Sequence, residues 1–538
     1  MHGAPVGELS PQGRLALLAD ASAHLADSLD LRAVARGLAH IVVPRLAEQV
    51  EVDLVEALFH PDMTADTGTA VLCRVATASV GEDTAVNAED EWVGHPAGSA
   101  AAVALSTGRT QTCDGTPEHG AEIVAPLLAR GRVLGVVGLR RGTGAPGYST
   151  ADVVLAEEIA GRAAMALDNV RLYDEARATS VALQRSLLPT AQPQITGVET
   201  AQRYLPGSRE VGVGGDWFDV IPLSCGRAAF VIGDVMGRGL RAAAAMGQLR
   251  TAVRTLAVLD HLPEDVLRHL DDLAQGTDQV QLATCVYAVY DPVARELSFA
   301  TAGHPPPVLR EPDGSTRLLP QPSGAPLGVG GVAFESVTMP VADGSRLLLY
   351  TDGLVESREV DLDDGLSLLA GCFGREAIAL EPLCDQLLAA TGRDTGHDDD
   401  VALIVAEISG LDAERVASWQ LMGGVESVGT ARSWAVARFS EWGLESLADL
   451  AELLVSEMVT NALRHAAGPI ELTILLLDEI ITIAVEDAAA PLPRLRRVTD
   501  ADEGGRGLQL VSTLSARWGA RPTTGGKVVW CDLPRPRP

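Results

Sequence analysis

Four times the chain runs an apolar, β-prone segment into or out of an aspartate held in a turn: GGDWFDV (Gly214 to Val220), FVIGDVMGRGL (Phe230 to Leu240), LLLYTDGLVES (Leu347 to Ser357) and HDDDVALIVAEI (His397 to Ile408). Glycines beside these turns let the backbone come close to a bound group, so the carboxylates are expected at strand ends. Sheets that gather Asp216, Asp234, Asp352 and Asp399 or Asp400 at one edge crowd four negative charges, which repel unless a cation neutralises them. Oxygen ligands without a His or Cys cluster favour a hard ion, Mg²⁺ or Mn²⁺, over zinc. Two such ions about 3.5–4 Å apart would activate a bridging water and clamp a phosphoryl group for in-line hydrolysis.

With 538 residues the chain is too long for one core, and about 150 residues per domain suggests three or four. A formal charge of −30 argues against a nucleic-acid surface, which needs a basic footprint. The seven cysteines are scattered and odd in number, without CxxC spacing, so neither a disulfide framework nor a zinc site is expected, and a reducing cytoplasm fits best. No basic segment followed by an apolar run opens the chain, and no uninterrupted apolar stretch of 18 residues occurs, so no export or membrane span is expected.

Residues 10 to 47 predict a helix, with Leu15, Leu18, Leu25, Leu29, Leu31, Val34 and Leu38 forming a core stripe. EIVAPLLARGRVLGVVGLRRG (Glu122 to Gly142) predicts a hairpin turning at Arg130 to Arg132, and a long helix follows, with Ser149 or Thr150 as N-cap and Pro189 as its stop. This order over about residues 20 to 175 resembles a GAF sensory domain, carried by PLLARGRVLGVVGL and the exit helix. The resemblance leaves open a small-molecule pocket, with no ligand named, or a dimerising spacer. LQRSLLP (Leu183 to Pro189) is either a packing linker or a helix that carries a rotation or shift into the next domain.

From residue 196, short strands alternate with Gly/Pro turns around two helical segments, which predicts two sheets with helices outside. In order, LQRSLLP, GGDWFD, GDVMGRG, TAGHPPP, LLLYTDGLVE and DDDVALIV resemble the SpoIIE-like branch of PPM-type serine/threonine phosphatases over residues 180 to 408. The resemblance implies that Asp216, Asp234, the Val235 carbonyl, Asp352 and Asp399 are metal ligands and that the acids among them are catalytic. Asp219 and Asp400 stand second, because three successive aspartates leave the register open by one residue. His304 in TAGHPPP suits loop packing or proton transfer. Arg238 is a phosphate contact or a salt-bridge partner.

In LLVSEMVTNALRHA, Glu457, Asn461 and His465 fall at i, i+4 and i+8 on one helix face, with Arg464 close by. On that face Asn461 would hold Mg²⁺ against triphosphate oxygens while Glu457 orients or deprotonates an attacking hydroxyl. Asp487 ends the strand TIAVED, where it could accept from an adenine amino group. Gly504, Gly505, Arg506 and Gly507 precede a helix whose N-terminus suits a triphosphate. Together with GKVVWCDLP these motifs resemble GHKL-type ATPase domains of the RsbW-like anti-sigma factor kinases over about residues 415 to 535. AAAPLP after Asp487 departs from the glycines that the wider superfamily carries there.

The expected chain is therefore an α+β multidomain protein: N-terminal extension 1–19, GAF-like α/β sensor 20–175, coupling segment 176–195, PPM-type α-β-β-α sandwich 196–408 and GHKL-type α/β two-layer sandwich 409–538. The resemblances imply a cytoplasmic partner-switching regulator with two Mn²⁺ or Mg²⁺ in the phosphatase centre and ATP with Mg²⁺ in the C-terminal domain. Its substrate would be a phosphorylated anti-sigma factor antagonist of the STAS type. Sigma factor capture, a GAF ligand and a homodimer stay open, with no nucleic-acid or membrane partner. The alternative is an ATP-dependent binding scaffold with weak or no kinase turnover.

Overall fold

The computed structural model describes the chain except residues 1–8, 27, 60–69, 81–90, 115–119, 188, 190–191, 208–213, 278–281, 357–359, 376–377, 394–398, 422–423, 425, 467, 490–491, 494–505, 524 and 537–538, and except the side chains of 26, 70, 177, 180–181, 183–187 and 506. Two compact units divide it, Met1–Thr179 and Ser180–Pro538. Among the described residues no helix is long and apolar enough to cross a membrane.

The first unit contains α1 (Pro11–Ala26), α2 (Leu31–Val42), β1 (Gln49–Val55), β2 (Ala70–Ser79), β3 (Glu91–His95), α3 (Ala100–Thr107), β4 (Gln111–Cys113), β5 (Glu122–Ala129), β6 (Arg132–Arg140) and most of α4 (Thr150–Leu187). Its sheet runs β3-β2-β1-β6-β5-β4. The single helix expected over residues 10 to 47 is instead two. Asp30 breaks it, its carboxylate accepting the Arg32 N–H at 3.0 Å as the N-cap of α2. Leu15 and Leu29 consequently face solvent, while Leu25, Val34 and Leu38 enter the core with Val52, Leu139, Ile159 and Leu167.

The β5–β6 hairpin forms as expected, with Arg130 and Gly131 at φ 47° and 80°, the pair of positive angles that a two-residue hairpin turn requires. At the start of α4, Ser149 Oγ accepts the Asp152 N–H at 3.2 Å and Asp152 Oδ2 accepts the Ser149 N–H at 3.1 Å, a reciprocal cap. The backbone of α4 extends to Leu187, but the side chains of Leu183 to Leu188, on which the coupling idea rests, lie outside the described residues.

The second unit opens with β7 (Val198–Leu205), β8 (Trp217–Pro222), β9 (Ala228–Val235), α5 (Leu240–Val258), α6 (Pro263–Gln275), β10 (Ala283–Asp291), β11 (Glu296–Ala302), β12 (Val308–Arg310), β13 (Thr316–Leu318), β14 (Ser336–Pro340), β15 (Ser345–Tyr350), α7 (Leu362–Phe373), α8 (Leu380–Ala390) and β16 (Val401–Ile408). One sheet runs β14-β11-β10-β9-β8 and the other β13-β12-β15-β16-β7. Alternation along β9 explains the layering. Phe230 and Ile232 meet Leu347, Leu349 and Ile404 between the sheets, whereas Ala229 and Val231 meet Met246, Leu249 and Leu270 of α5 and α6. On the far side Leu369, Phe373, Leu383 and Leu387 bring α7 and α8 onto the second sheet. Four layers result, α-β-β-α.

The chain then forms β17 (Val416–Leu421), α9 (Glu426–Glu441), α10 (Glu445–His465), β18 (Ile470–Leu476), β19 (Ile480–Asp487), α11 (Arg506–Leu514), β20 (Arg517–Thr523) and β21 (Gly526–Pro534). Their sheet, β17-β18-β19-β21-β20, packs one face on the helices through Phe439, Leu454, Val459, Ile483 and Cys531. Its other face is covered in part by the four-layer domain, because Leu475, Leu477, Val528 and Trp530 bury against Cys225 and Leu411. Asp478 in the β18–β19 turn accepts from Thr196 at 3.0 Å and from Arg415 at 2.7 Å. A cleft of about 800 Å³ lies beside this contact, lined by Glu199, Arg227, Glu381, Asp478 and Arg517 among others. It includes none of the aspartates singled out as ligands.

Candidate functional site

Antiparallel pairing brings the acidic turns together. Asp216 precedes β8 while Asp234 lies near the end of its neighbour β9, and Asp352 follows β15 while Asp399 and Asp400 precede its neighbour β16. Each strand therefore delivers its carboxylate to the same edge of its sheet.

Electrostatics at that edge are those of crowded acids. Burial, then the charges of Asp234 and Asp400, push Asp216 well above the ordinary carboxylate range. Asp234 is pushed up to about 7, by burial first and by Asp352, Asp399 and Asp400 in addition. Asp352 is raised by burial and by Asp399, and Asp400 by burial, partly opposed by the Gly207 N–H that donates to it at 2.8 Å. Such crowding of like charges is relieved by a proton or by a cation.

Glycines make the crowding sterically feasible. A Cβ on Gly214 would stand 1.2 Å from Asp400 Oδ2, and one on Gly215 would stand 2.1 Å from the Val235 carbonyl oxygen and 2.8 Å from Asp234 Oδ1. The donor set is oxygen only, with the Val235 carbonyl beside it, and oxygen donors of this kind suit a hard divalent ion. As the side chains stand, no group of three or more His, Cys, Asp or Glu among the described residues is arranged to hold a metal ion. Both candidates for the last acid adjoin the cluster. Asp400 is buried against Asp216, and the exposed Asp399 pairs with Arg238 at 3.1 Å.

Three neighbours take defined roles here. Asp219, which stood second as a ligand, is instead enclosed by α5, accepting from Arg250 at 3.1 Å and from Arg254 at 2.7 and 2.9 Å. His304 is a buried pin between the sheets. Its Nδ1 accepts from the Thr284 hydroxyl at 2.8 Å and its Nε2–H donates to the Tyr350 carbonyl at 3.0 Å. Burial lowers it to about 4, and both ring nitrogens are engaged within the fold, an arrangement that suits the packing role. Thr351 was missed from the sequence: its hydroxyl donates to Asp216 Oδ2 at 2.7 Å and accepts the Ala402 N–H at 2.9 Å. Its position, one residue before an aspartate of the set, was the available signal.

In the C-terminal domain Glu457 and Asn461 are half-buried on α10, while Arg464 and His465 are exposed in its last turn. A Cβ on Gly507 would stand 2.5 Å from Glu457 Oε2, so the start of α11 lies against that carboxylate. Gly504 and Gly505 lie outside the described residues, as does the Arg506 side chain. Asp487 is buried at the end of β19.

Residues 224–409 match the family Stage II sporulation protein E (SpoIIE), and residues 424–532 match the Histidine kinase-like ATPase domain. Phosphoserine phosphatase RsbP of Bacillus subtilis is 27% identical over 171 residues, 31% of this chain and 42% of that protein. Phosphoserine phosphatase RsbU of the same organism is 25% identical over 178 residues, 33% of this chain and 52% of that protein. The chain thus spans about half or less of these relatives. A crystal structure of the RsbU and RsbW domains of a Mycobacterium tuberculosis protein is 27% identical with a TM-score of 0.40, covering 64% of this chain and 97% of that one. The chain accordingly carries a SpoIIE-type phosphatase domain of the PP2C class followed by a histidine kinase-like ATPase domain.

Proposed function

We propose that this chain is a partner-switching regulator with opposed activities: a metal-dependent phosphoserine or phosphothreonine phosphatase and an ATP-binding anti-sigma kinase-like domain. The observation that carries the phosphatase reading is the crowded acid edge, where Asp216, Asp234, Asp352 and Asp400 each raise or are raised by their neighbours. Those acids, with Asp399 and the Val235 carbonyl, would hold Mn²⁺ or Mg²⁺, which when bound supplies a water nucleophile at neutral pH and charge for the phosphoryl oxygens. Thr351 turns Asp216 by donating to Oδ2, and His304 ties the Asp234 sheet to the Asp352 sheet. Arg238, exposed at the mouth and paired with Asp399, is placed to meet the phosphoryl group of an incoming phosphoprotein.

The substrate in this reading is a phosphorylated anti-sigma factor antagonist of the STAS type. The ATPase domain, through Glu457, Asn461, His465, Asp487 and the Gly504–Gly507 segment, takes ATP with Mg²⁺ and phosphorylates such an antagonist or captures a sigma factor. Residues 20–175 act as a GAF-like sensor, residues 176–195 as the coupling segment, and the activities reside in 196–408 and 409–538, all in the cytoplasm. The test is Mn²⁺-dependent release of phosphate from a phosphorylated antagonist. Wild type should release it, and Asp234→Asn and Asp352→Asn should not. Equal release by all three proteins would remove the metal centre from the account.

A further inference from the structure

Of the 42 basic residues in the chain, 41 are arginines, and the single lysine is Lys527. It is not at the surface, where lysines ordinarily keep their ammonium in water. Lys527 is 3% exposed and its cross-strand partner on β19 is Asp487, also 3% exposed. Nζ donates to Asp487 Oδ1 at 2.7 Å and to the Ala489 carbonyl at 3.1 Å, and Asp487 Oδ1 also accepts the Ala489 N–H at 2.8 Å. The preceding Gly526 lets β21 come this close, since a Cβ there would stand 2.0 Å from the Asp487 carbonyl oxygen.

We propose that Lys527 is a positioning residue of the nucleotide site, which holds Asp487 turned so that Oδ2 faces a hydrogen-bond donor on a purine base. The proposal rests on the reading that the C-terminal domain takes a nucleotide. The bonds that described residues give this carboxylate fall on Oδ1, and in this proposal Oδ2 is the atom that takes the ligand N–H. A buried carboxylate that faced a neutral donor alone would be poorly compensated, whereas one already paired with an ammonium keeps its acceptor strength. The same ammonium closes the turn at Ala488 and Ala489, where the sequence lacks the flexible glycines expected at that point. A compact ammonium makes both bonds from one atom, which the planar fork of arginine does not. The base selected is one that donates at its six-position, a 6-aminopurine rather than a 6-oxopurine.

The test compares ATP with ITP in the full chain, using equilibrium binding with Mg²⁺ present. Wild type should prefer ATP. Lys527→Met should lose about tenfold or more of ATP affinity with a smaller loss for ITP, so that the preference collapses. A purely structural role would weaken both nucleotides alike and leave the ratio intact, and that result would overturn the proposal. Because an unpaired buried Asp487 can unfold the domain, the double variant Asp487→Asn/Lys527→Met, which leaves no unpaired charge, is measured in parallel and should also lose the preference for ATP. A preference retained in it counts against the proposal. Wild type labelled only with ¹⁵N-lysine gives one lysine amide signal, which should move on addition of ATP and move less with ITP. An unmoved signal at saturating ATP overturns Lys527's role while leaving the nucleotide reading intact. Absence of any nucleotide binding by wild type removes both.

Discussion

Asp234 and Asp487 occupy similar places, each near the end of a central strand, and they are treated in opposite ways. Around Asp234 stand Asp216, Asp352, Asp399 and Asp400, and the result is a carboxyl raised to about 7. Around Asp487 stands an ammonium at 2.7 Å. One site leaves its negative charge to be neutralised from outside, which suits a metal ion. The other neutralises its charge from within, which suits a neutral donor on a base. Asp219 shows that the second device also occurs in the phosphatase-type domain, only three residues from Asp216, where Arg250 and Arg254 enclose it. Charge type therefore does not separate ligand from scaffold in GGDWFDV, but the source of the counter-charge does.

The contrast is most exposed to disproof by exchanging the two kinds of aspartate. Replacing both arginines that hold Asp219, as Arg250→Met/Arg254→Met, leaves a buried carboxylate unpaired and should destabilise the fold by about 3–5 kcal/mol in chemical denaturation. Asp234→Asn should do the reverse in metal-free protein at pH 8, stabilising on the order of a few kcal/mol while removing metal binding. The sign follows from linkage. A pKa raised in the fold contributes stability that is present below the unfolded value and is lost as pH rises through about 7. If Asp234→Asn instead destabilises at pH 8, the carboxylates are not in conflict and the comparison fails.

A smaller effect is expected from Thr351→Val, which deletes the hydroxyl on Asp216 without deleting a ligand. Its Mn²⁺ affinity should fall about 10–100-fold, as for other groups that orient a metal ligand. The smallest concerns His304. His304→Ala strands the Thr284 hydroxyl and the Tyr350 carbonyl and should cost about 1–3 kcal/mol. A pKa lowered in the fold to about 4 contributes stability present above the unfolded value near 6.5 and lost as pH falls towards 4. Wild type should therefore weaken over that window by more than the variant, measured as the pH dependence of the denaturation midpoint.

Much of the acid edge was legible in the sequence because strand periodicity and glycine-flanked turns are local. The β5–β6 hairpin and the Ser149 start of α4 were legible for the same reason. What escaped depends on partners distant in the chain. Asp219 is bound by arginines 31 and 35 residues away, and His304 spans to Thr284 and Tyr350, 20 and 46 residues away. Lys527 meets Asp487 across 40 residues, and only its being the single lysine could have drawn notice. The break at Asp30 was missed for another reason. The apolar spacing continues through it, and a capping aspartate leaves no mark on that spacing.

The most direct test is calorimetric titration of Mn²⁺ into metal-free protein between pH 5 and pH 8, with wild type and Asp234→Asn side by side. Because protons compete with the ion for Asp216 and Asp234, wild-type affinity should climb with pH across this range, while Asp234→Asn should bind weakly at every pH. Mn²⁺ affinity that is the same in both proteins, or flat across this range in wild type, would contradict the account.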